Sequence, residues 1–272
     1  MSNKIGLIAG NGQFPILFAQ AARKKGWQVH AVAYHGEANP DIAQHVESLE
    51  WLYIGQVKKL INFFRRKEIS QAVMIGGVTK TKMFTNVRPD IKAIAFIASM
   101  RHTHDDGILR AFADLLEKEG ISIKDSTFLI PELLAPAGVW TARKPSRTDQ
   151  DDIRLGWKIA KTIGSLDIGQ CVIVGGGTVL AVEAIEGTDA AITRGGNLGK
   201  GQGVVVKVCK PNQDTRFDIP AVGLGTIETM FKVQIKTLAI EAGKAVVFDR
   251  EAMVAKANQY SMTIVALEEG QI

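Results

Sequence analysis

The feature that most constrains this 272-residue chain is the regular alternation in its first half. Short, mostly apolar runs at 5–9, 28–33, 50–54 and 71–75 are separated by stretches with helical spacing. Runs this largely apolar suit strands covered on both faces, and such strands form parallel sheets joined by crossover helices. Open sheets of this kind bind ligands at the carboxyl ends of their strands. Two runs end in glycines there, 5–9 in Gly10-Asn11-Gly12 and 71–75 in Gly76-Gly77-Val78-Thr79-Lys80. The first turn opens a helix with Pro15 in its first turn, so a phosphate at that N-terminus is physically reasonable. The dinucleotide fingerprint is nevertheless missing. Pro15 stands where a third glycine belongs, and the second run ends in Tyr34-His35 with no acid for a ribose diol. NAD is rejected on that ground.

The rest of the first half carries expected helices at 56–67, 86–99 and 108–119. The first presents Lys58, Lys59, Arg65, Arg66 and Lys67, either a solvated basic face or a contact with anionic lipid. The second, around Phe84, Ile91, Ile94, Phe96 and Ile97, reads as core or as the wall of a groove for a greasy ligand. His102, His104, Asp105 and Asp106 precede the third. The two aspartates suit a helix cap, and the four together offer metal ligands without a diagnostic spacing. Short strands are expected over 121–130, and a proline-rich stretch then places the domain boundary between residues 1–131 and 132–272.

In the second half a helix is expected at 148–163, strands at 171–174, 179–182 and 204–208, and an amphipathic helix at 225–241. A strand at 244–248, a helix capped by Asp249 and a last strand at 262–267 follow. Between the strands, the turns hold Glu183, Glu186, Asp189, Asp214 and Asp218 among glycines and the cations Arg194, Lys207, Lys210 and Arg216. Carboxylates of this density suit a hard cation, and the fixed cations suit phosphate oxygens. For any one acid, simple solvation is the alternative.

Composition narrows the class. With 46% hydrophobic and 22% charged residues the chain is ordinary globular material. A net charge of +5 fits an anionic ligand or an anionic membrane surface and falls far short of a nucleic-acid binder. The two cysteines, Cys171 and Cys209, lie in apolar runs and read as buried free thiols. No secretory leader and no run long enough to span a bilayer is seen, so the expected location is cytoplasmic or peripheral to the inner membrane.

The motifs GLIAGNGQFP, GGVTK, HDDGILR, LDIGQCVIV, AVEAIEGTDAAITR and DTRFDIPAVG, in that order, resemble the LpxI-type UDP-2,3-diacylglucosamine pyrophosphatases of lipid A biosynthesis. The resemblance runs over nearly the whole chain. It implies an α/β protein with an N-terminal Rossmann-like parallel-sheet domain (1–131), binding nucleotide and phosphate, and a second α/β, mixed-sheet domain (132–272) carrying the carboxylate cluster. It implies Mg²⁺-assisted hydrolysis of UDP-2,3-diacylglucosamine to UMP and 2,3-diacylglucosamine 1-phosphate (lipid X), a family associated with attack on the sugar-side phosphorus. The family's essential aspartate maps onto Asp218. Asp218, Asp189 and Glu183 are the candidate catalytic residues, and Asp218, Asp189 and Glu186 the candidate metal ligands, with roles that sequence does not divide. Candidate substrate contacts are Gly10, Asn11, Gly12, Gly76, Gly77, Thr79, Lys80, Thr188, Arg194 and Arg216. The expected partners are the lipid substrate and an anionic membrane surface, with no nucleic acid, and a homodimer stays open. A non-catalytic binder of sugar nucleotides or acidic lipids is the rival reading.

Overall fold

The computed structural model describes residues 3–78, 87–99 and 105–272. The chain divides into two compact units. One is Met1–Pro131 with Asp214–Asp218, and the other is Glu132–Gln213 with Ile219–Ile272. A single break at 131 is therefore not the whole division, because a five-residue piece of the second half belongs to the first unit.

In the first unit, strands β1 (Lys4–Ala9), β2 (Gln28–Tyr34), β3 (Ser48–Leu52), β4 (Gln71–Ile75) and β5 (Ser122–Lys124) form one sheet of order β3-β2-β1-β4-β5. Every pairing is parallel. Helix α1 (Phe14–Lys24) follows β1, and α2 (Val57–Arg66) follows β3. Helix α2 buries Val57, Leu60, Ile61, Phe63 and Phe64, the spacing of a helix with one face in the core. Helices α3 (Ile91–Ser99) and α4 (Asp105–Lys118) complete the described part. Because α4 starts at Asp105, the expected onset at 108 is three residues late.

The second unit is built on a six-stranded mixed sheet. Its strands are β6 (Gly138–Val139), β7 (Cys171–Gly175), β8 (Thr178–Val182), β9 (Val204–Lys207), β11 (Thr237–Glu241) and β13 (Thr263–Leu267), in the order β6-β13-β11-β9-β7-β8. Strands β9, β11 and β13 run parallel, while β7 is antiparallel to both its neighbours. Helices α5 (Arg147–Ser165), α6 (Thr188–Leu198), α7 (Leu224–Lys232) and α8 (Arg250–Gln259) accompany it, and β10 (Ala221–Val222) pairs with β12 (Val246–Val247) in a small separate sheet. Both cysteines are buried and free.

Three expectations give way here. The helix expected at 225–241 is a helix and then a strand. Gln234 takes a left-handed φ of 64°, its N–H donates to Phe231 O at 3.0 Å, and Ile235 N–H donates to Met230 O at 3.1 Å. This paired closure ends α7, and β11 beyond it is buried at every position. Leu238 and Ile240 therefore belong to a two-residue repeat that happens to continue the helical one. The tract read as turns after Glu186 is helix α6, whose Gly195 and Gly196 are packing residues. A Cβ on Gly195 would lie 2.7 Å from Ile173 Cβ, and one on Gly196 would lie 2.4 Å from Val233 Cγ2. Finally, Asp249 precedes α8 in a left-handed conformation with no side-chain cap.

Candidate active site

At the carboxyl edge of the first sheet, the strand order reverses between β1 and β4, and both glycine turns meet there. Gly10 N–H donates to Ile75 O at 2.8 Å, and Asn11 N–H donates to Gly77 O at 2.8 Å. Asn11 Oδ1 accepts from Gly77 N–H at 3.1 Å. A Cβ on Gly10 would stand 2.4 Å from Gly77 O, and one on Gly76, whose φ is +88°, would stand 2.4 Å from Asn11 O. These two glycines allow the turns to touch each other. Gly12, with φ +86°, has no heavy atom within 4 Å of its Cβ position and faces open space. The start of α1 has no side-chain cap and no acid in its first turn, which leaves its N–H groups suited to an anion.

An acid does stand beyond β2. Glu37 follows the strand by three residues, and its Oε2 accepts from Asn11 Nδ2 at 3.4 Å across the glycine turn. Sequence reading stopped at Tyr34-His35 and missed it. Beside it, a cleft of about 460 Å³ is lined by His35, Gly36, Ala38, Pro40 and Trp51. The His35 ring lies 4.6 Å from Tyr53 and 5.5 Å from Trp51, and the Arg88 guanidinium lies 3.7 Å over Tyr53. Flat, partly polar walls of this kind suit a heteroaromatic ring. The signal for it was present in sequence as aromatic residues at the ends of two neighbouring strands. Burial pushes the Tyr34 hydroxyl up to about 12, so it stays protonated.

Asp214–Asp218, the piece of the second half in this unit, is tied down along its length. Thr215 Oγ1 donates to Asp125 Oδ2 at 2.5 Å, and Ser126 Oγ donates to Thr215 O at 2.9 Å. Arg216 grips Asp214 through Nε at 2.9 Å and Nη2 at 2.7 Å, which holds the Asp214 carboxyl below its ordinary value. Phe217 packs against the core around α2 and α4. Asp218, half-buried, closes the turn with its N–H donating to Asp214 O at 3.2 Å. Asp218 is thereby carried on a fixed support, and the Arg216 charge is already matched by Asp214.

The remaining candidates lie in the second unit. Glu183, at the end of β8, is buried and accepts from Thr188 Oγ1 at 2.7 Å and from Gln170 N–H at 3.2 Å. Glu186 pairs with Arg194 at 2.5 Å, and Arg194 also donates to Val182 O at 2.9 Å. Hydrogen bonds from its own backbone N–H and from Arg194 hold Glu186 below the usual carboxylate range. Asp189 is exposed in the first turn of α6. Glu183 with Thr188, and Glu186 with Arg194, thus form two pairs that fasten the end of β8 to α6. Among the described residues, no group of three or more His, Cys, Asp or Glu is arranged to hold a metal ion. Thr79, Lys80, His102 and His104 lie outside the described residues, as do the side chains of Asp105 and Asp106.

A parallel sheet of order 3-2-1-4-5, with glycine turns at its reversal and an acid beyond its second strand, defines a Rossmann-like α/β unit, followed in the chain by a mixed-sheet unit. The chain matches the LpxI N-terminal domain over residues 4–133 and the LpxI C-terminal domain over residues 136–265. It belongs to the LpxI family. Among curated relatives, it is 31% identical to the UDP-2,3-diacylglucosamine pyrophosphatase LpxI of Caulobacter vibrioides over 97% of this chain and 98% of that one. Solved structures match far more loosely. The biotin carboxylase subunit of pyruvate carboxylase matches with 15% identity and a TM-score of 0.27 over 68% of this chain and 39% of that one. The biotin carboxylase domain of Hydrogenobacter thermophilus 2-oxoglutarate carboxylase matches with 14% identity and a TM-score of 0.28 over 73% and 41%. This chain spans about two fifths of those structures.

Proposed function

We propose that this chain hydrolyses the pyrophosphate bond of UDP-2,3-diacylglucosamine to UMP and 2,3-diacylglucosamine 1-phosphate in lipid A biosynthesis. The observation that carries the reading is kinship over 97% of the chain with a relative of that name. The fixed turn bearing Asp218 supports the same reading. In the reaction, a water oxygen bonds to the sugar-side phosphorus and the anhydride P–O bond breaks. UMP leaves with the bridging oxygen, and the water's proton passes to a carboxylate. Asp218 is the carboxylate proposed to orient that water and accept its proton. The glycine turns at Gly12 and Gly77 and the start of α1 are proposed to hold the pyrophosphate. Glu37 and the cleft beside Trp51 are proposed to take ribose and uracil, because a carboxylate there matches a diol and flat rings match a base.

Among the described residues no group of three or more His, Cys, Asp or Glu is arranged around a cation, and the step above runs through no metal ion. A Mg²⁺ arriving on the pyrophosphate, which needs only one or two protein carboxylates, is the form in which we propose a cation requirement. A substrate with two acyl chains places the work at an anionic membrane surface, and the net charge of +5 is consistent with that setting. No helix among the described residues is long and apolar enough to cross a membrane.

Turnover in ¹⁸O-labelled water tests the proposal. Label is expected in the lipid phosphate. Substrate binding without UMP release would replace the hydrolase by a non-catalytic sugar-nucleotide or acidic-lipid binder, and label in UMP would move the attack to the other phosphorus.

A further inference from the structure

Helix α3 stands out in the first unit. Its outer face carries Ile91, Ile94 and Ile97, which are 83%, 56% and 58% exposed, together with the exposed Ala95 and Ala98. At the 100° step of an α-helix these five span an arc of about 160°, with no polar residue inside it. The inner face is accounted for by the buried Ala93, by Phe96 edge-on to Phe112 at 6.2 Å, and by Lys92 bonded to Glu119. Lone exposed isoleucines are common on protein surfaces, whereas a continuous apolar face is an interaction site.

Basic residues surround the start of this helix. Asp90 accepts from Ala93 N–H at 3.0 Å and from Lys58 N–H at 2.7 Å, so one carboxylate caps α3 and α2 side by side. That brings the exposed Lys58 and Lys59 next to Ile91, and neither side chain has a partner among the described residues. Arg88, exposed and resting on the Tyr53 ring, lies three residues before Ile91. By contrast, Arg65 and Arg66 farther along α2 are paired with Glu119 and Glu50, so the free positive charge of α2 is concentrated at the α3 end. An apolar helical face bordered by unpaired lysines is the pattern of an interfacial helix lying in the headgroup region of an anionic bilayer.

We propose that the Ile91, Ile94 and Ile97 face of α3 inserts shallowly into an anionic lipid bilayer, with Lys58 and Lys59 contacting the headgroups. The proposal gives a location to the membrane association stated above, and it stands or falls without the catalytic reading. Three isoleucines exposed along one side of a helix suit a sheet of lipid.

The test is co-sedimentation of the full chain with substrate-free vesicles of phosphatidylcholine alone or mixed equally with phosphatidylglycerol. The wild type is expected to favour the mixed vesicles. Ile91→Ser/Ile94→Ser/Ile97→Ser should lower partition at least about tenfold, because three apolar side chains lose their insertion. Lys58→Glu/Lys59→Glu should remove the salt-sensitive part of binding. UMP release from substrate dispersed in detergent micelles should stay within about twofold for both variants, since neither change touches the proposed reaction centre. Should the triple variant misfold, Ile91→Ser, at the most exposed of the three positions, gives the same reading with a smaller loss. Wild-type levels of vesicle binding by the variants, or none by the wild type, would overturn the proposal. So would a wild-type dimer that the triple variant converts to monomer, which gives the face to a second copy. A collapse of micellar turnover in the folded variant would give it to the substrate's acyl chains. Failure of hydrolysis altogether, with vesicle binding intact, would count against the catalytic reading alone.

Discussion

Asn11 holds Gly77 by both ends of a peptide-sized clasp, its N–H donating to the Gly77 carbonyl at 2.8 Å and its Oδ1 accepting from the Gly77 N–H at 3.1 Å. The two glycine turns are therefore one structure, closed by Gly10 and Gly76 at the point of contact and, among their described residues, open at Gly12. This divides the glycines into two kinds that respond differently to the same substitution.

Gly10→Ala should act on stability. Its Cβ would meet two carbonyl oxygens, 2.4 Å and 2.5 Å away, and backbone has to move to admit it. A cost of about 2–4 kcal/mol, read as a fall of roughly 5–10 °C in melting temperature, is expected. Gly12→Ala faces open space and bears only the strain of its φ, about 1 kcal/mol, so its effect should fall on KM. Thermal melts beside kinetics separate the two. A Gly10→Ala protein melting with the wild type would mean that the clasp opens without cost.

Asp218→Ala is expected to lower kcat by about 10²–10⁴-fold, the range for losing a positioned acid–base or electrostatic group. Its turn is tied by Thr215, Arg216 and Phe217, none of which needs the Asp218 carboxylate, so the fold should survive. Asp218→Asn should be nearly as damaging, because the amide keeps the shape and loses the charge. Near-normal kcat in a folded Asp218→Ala protein would remove this residue from the chemistry.

Glu241, at the end of β11, is 1% exposed and accepts from Lys161 Nζ at 2.9 Å and 2.8 Å and from Cys209 N–H at 2.9 Å, with Lys244 Nζ also 2.9 Å away. Burial opposes its ionisation, yet these donors outweigh burial and hold its carboxyl below the usual value. Its stabilisation is thus present above the unfolded carboxylate pKa of about 4.3 and lost as pH falls through the lower folded value. Glu241→Gln should cost about 3 kcal/mol at neutral pH, because Lys161 keeps a charge without its partner, and the gap should close in acid. Denaturant midpoints at the two pH values measure this, and a gap unchanged by acid would contradict it.

Magnesium should bind with substrate and hardly without it. The carboxylates Glu183 and Glu186 are occupied by protein donors, so substrate-free protein should show no tight site by equilibrium dialysis. Excess chelator should still stop turnover. Full activity in chelator would dispose of the cation requirement, and one tightly held ion on the substrate-free protein would place its ligands among residues outside those described.

Much of the first sheet could be read from the chain because the inner positions of β1, β2 and β4 are largely buried and, apart from His30, apolar. The second unit was less legible for specific reasons. Gly195 and Gly196 imitate a turn while serving as flat surfaces for Ile173 and Val233, and residues 233–240 keep a helical spacing through a left-handed break at Gln234. Glu37 escaped notice because it reaches the site from three residues beyond its strand. The carboxylates between 183 and 218 are close in sequence, but Asp214, Arg216 and Asp218 belong to one compact unit and Glu183, Glu186 and Asp189 to the other, a division that spacing alone does not reveal.

The same five-residue excursion limits how such a chain can be shuffled. A gene cut after codon 131 would yield a first unit whose Asp125 and Ser126 lack Thr215 and whose core lacks Phe217, while Asp218 stays with the other fragment. The halves are therefore poor cassettes for recombination. Swapping either one between relatives exchanges the aspartate and its support separately, so functional chimeras are expected only when residues 214–218 travel with the amino-terminal half.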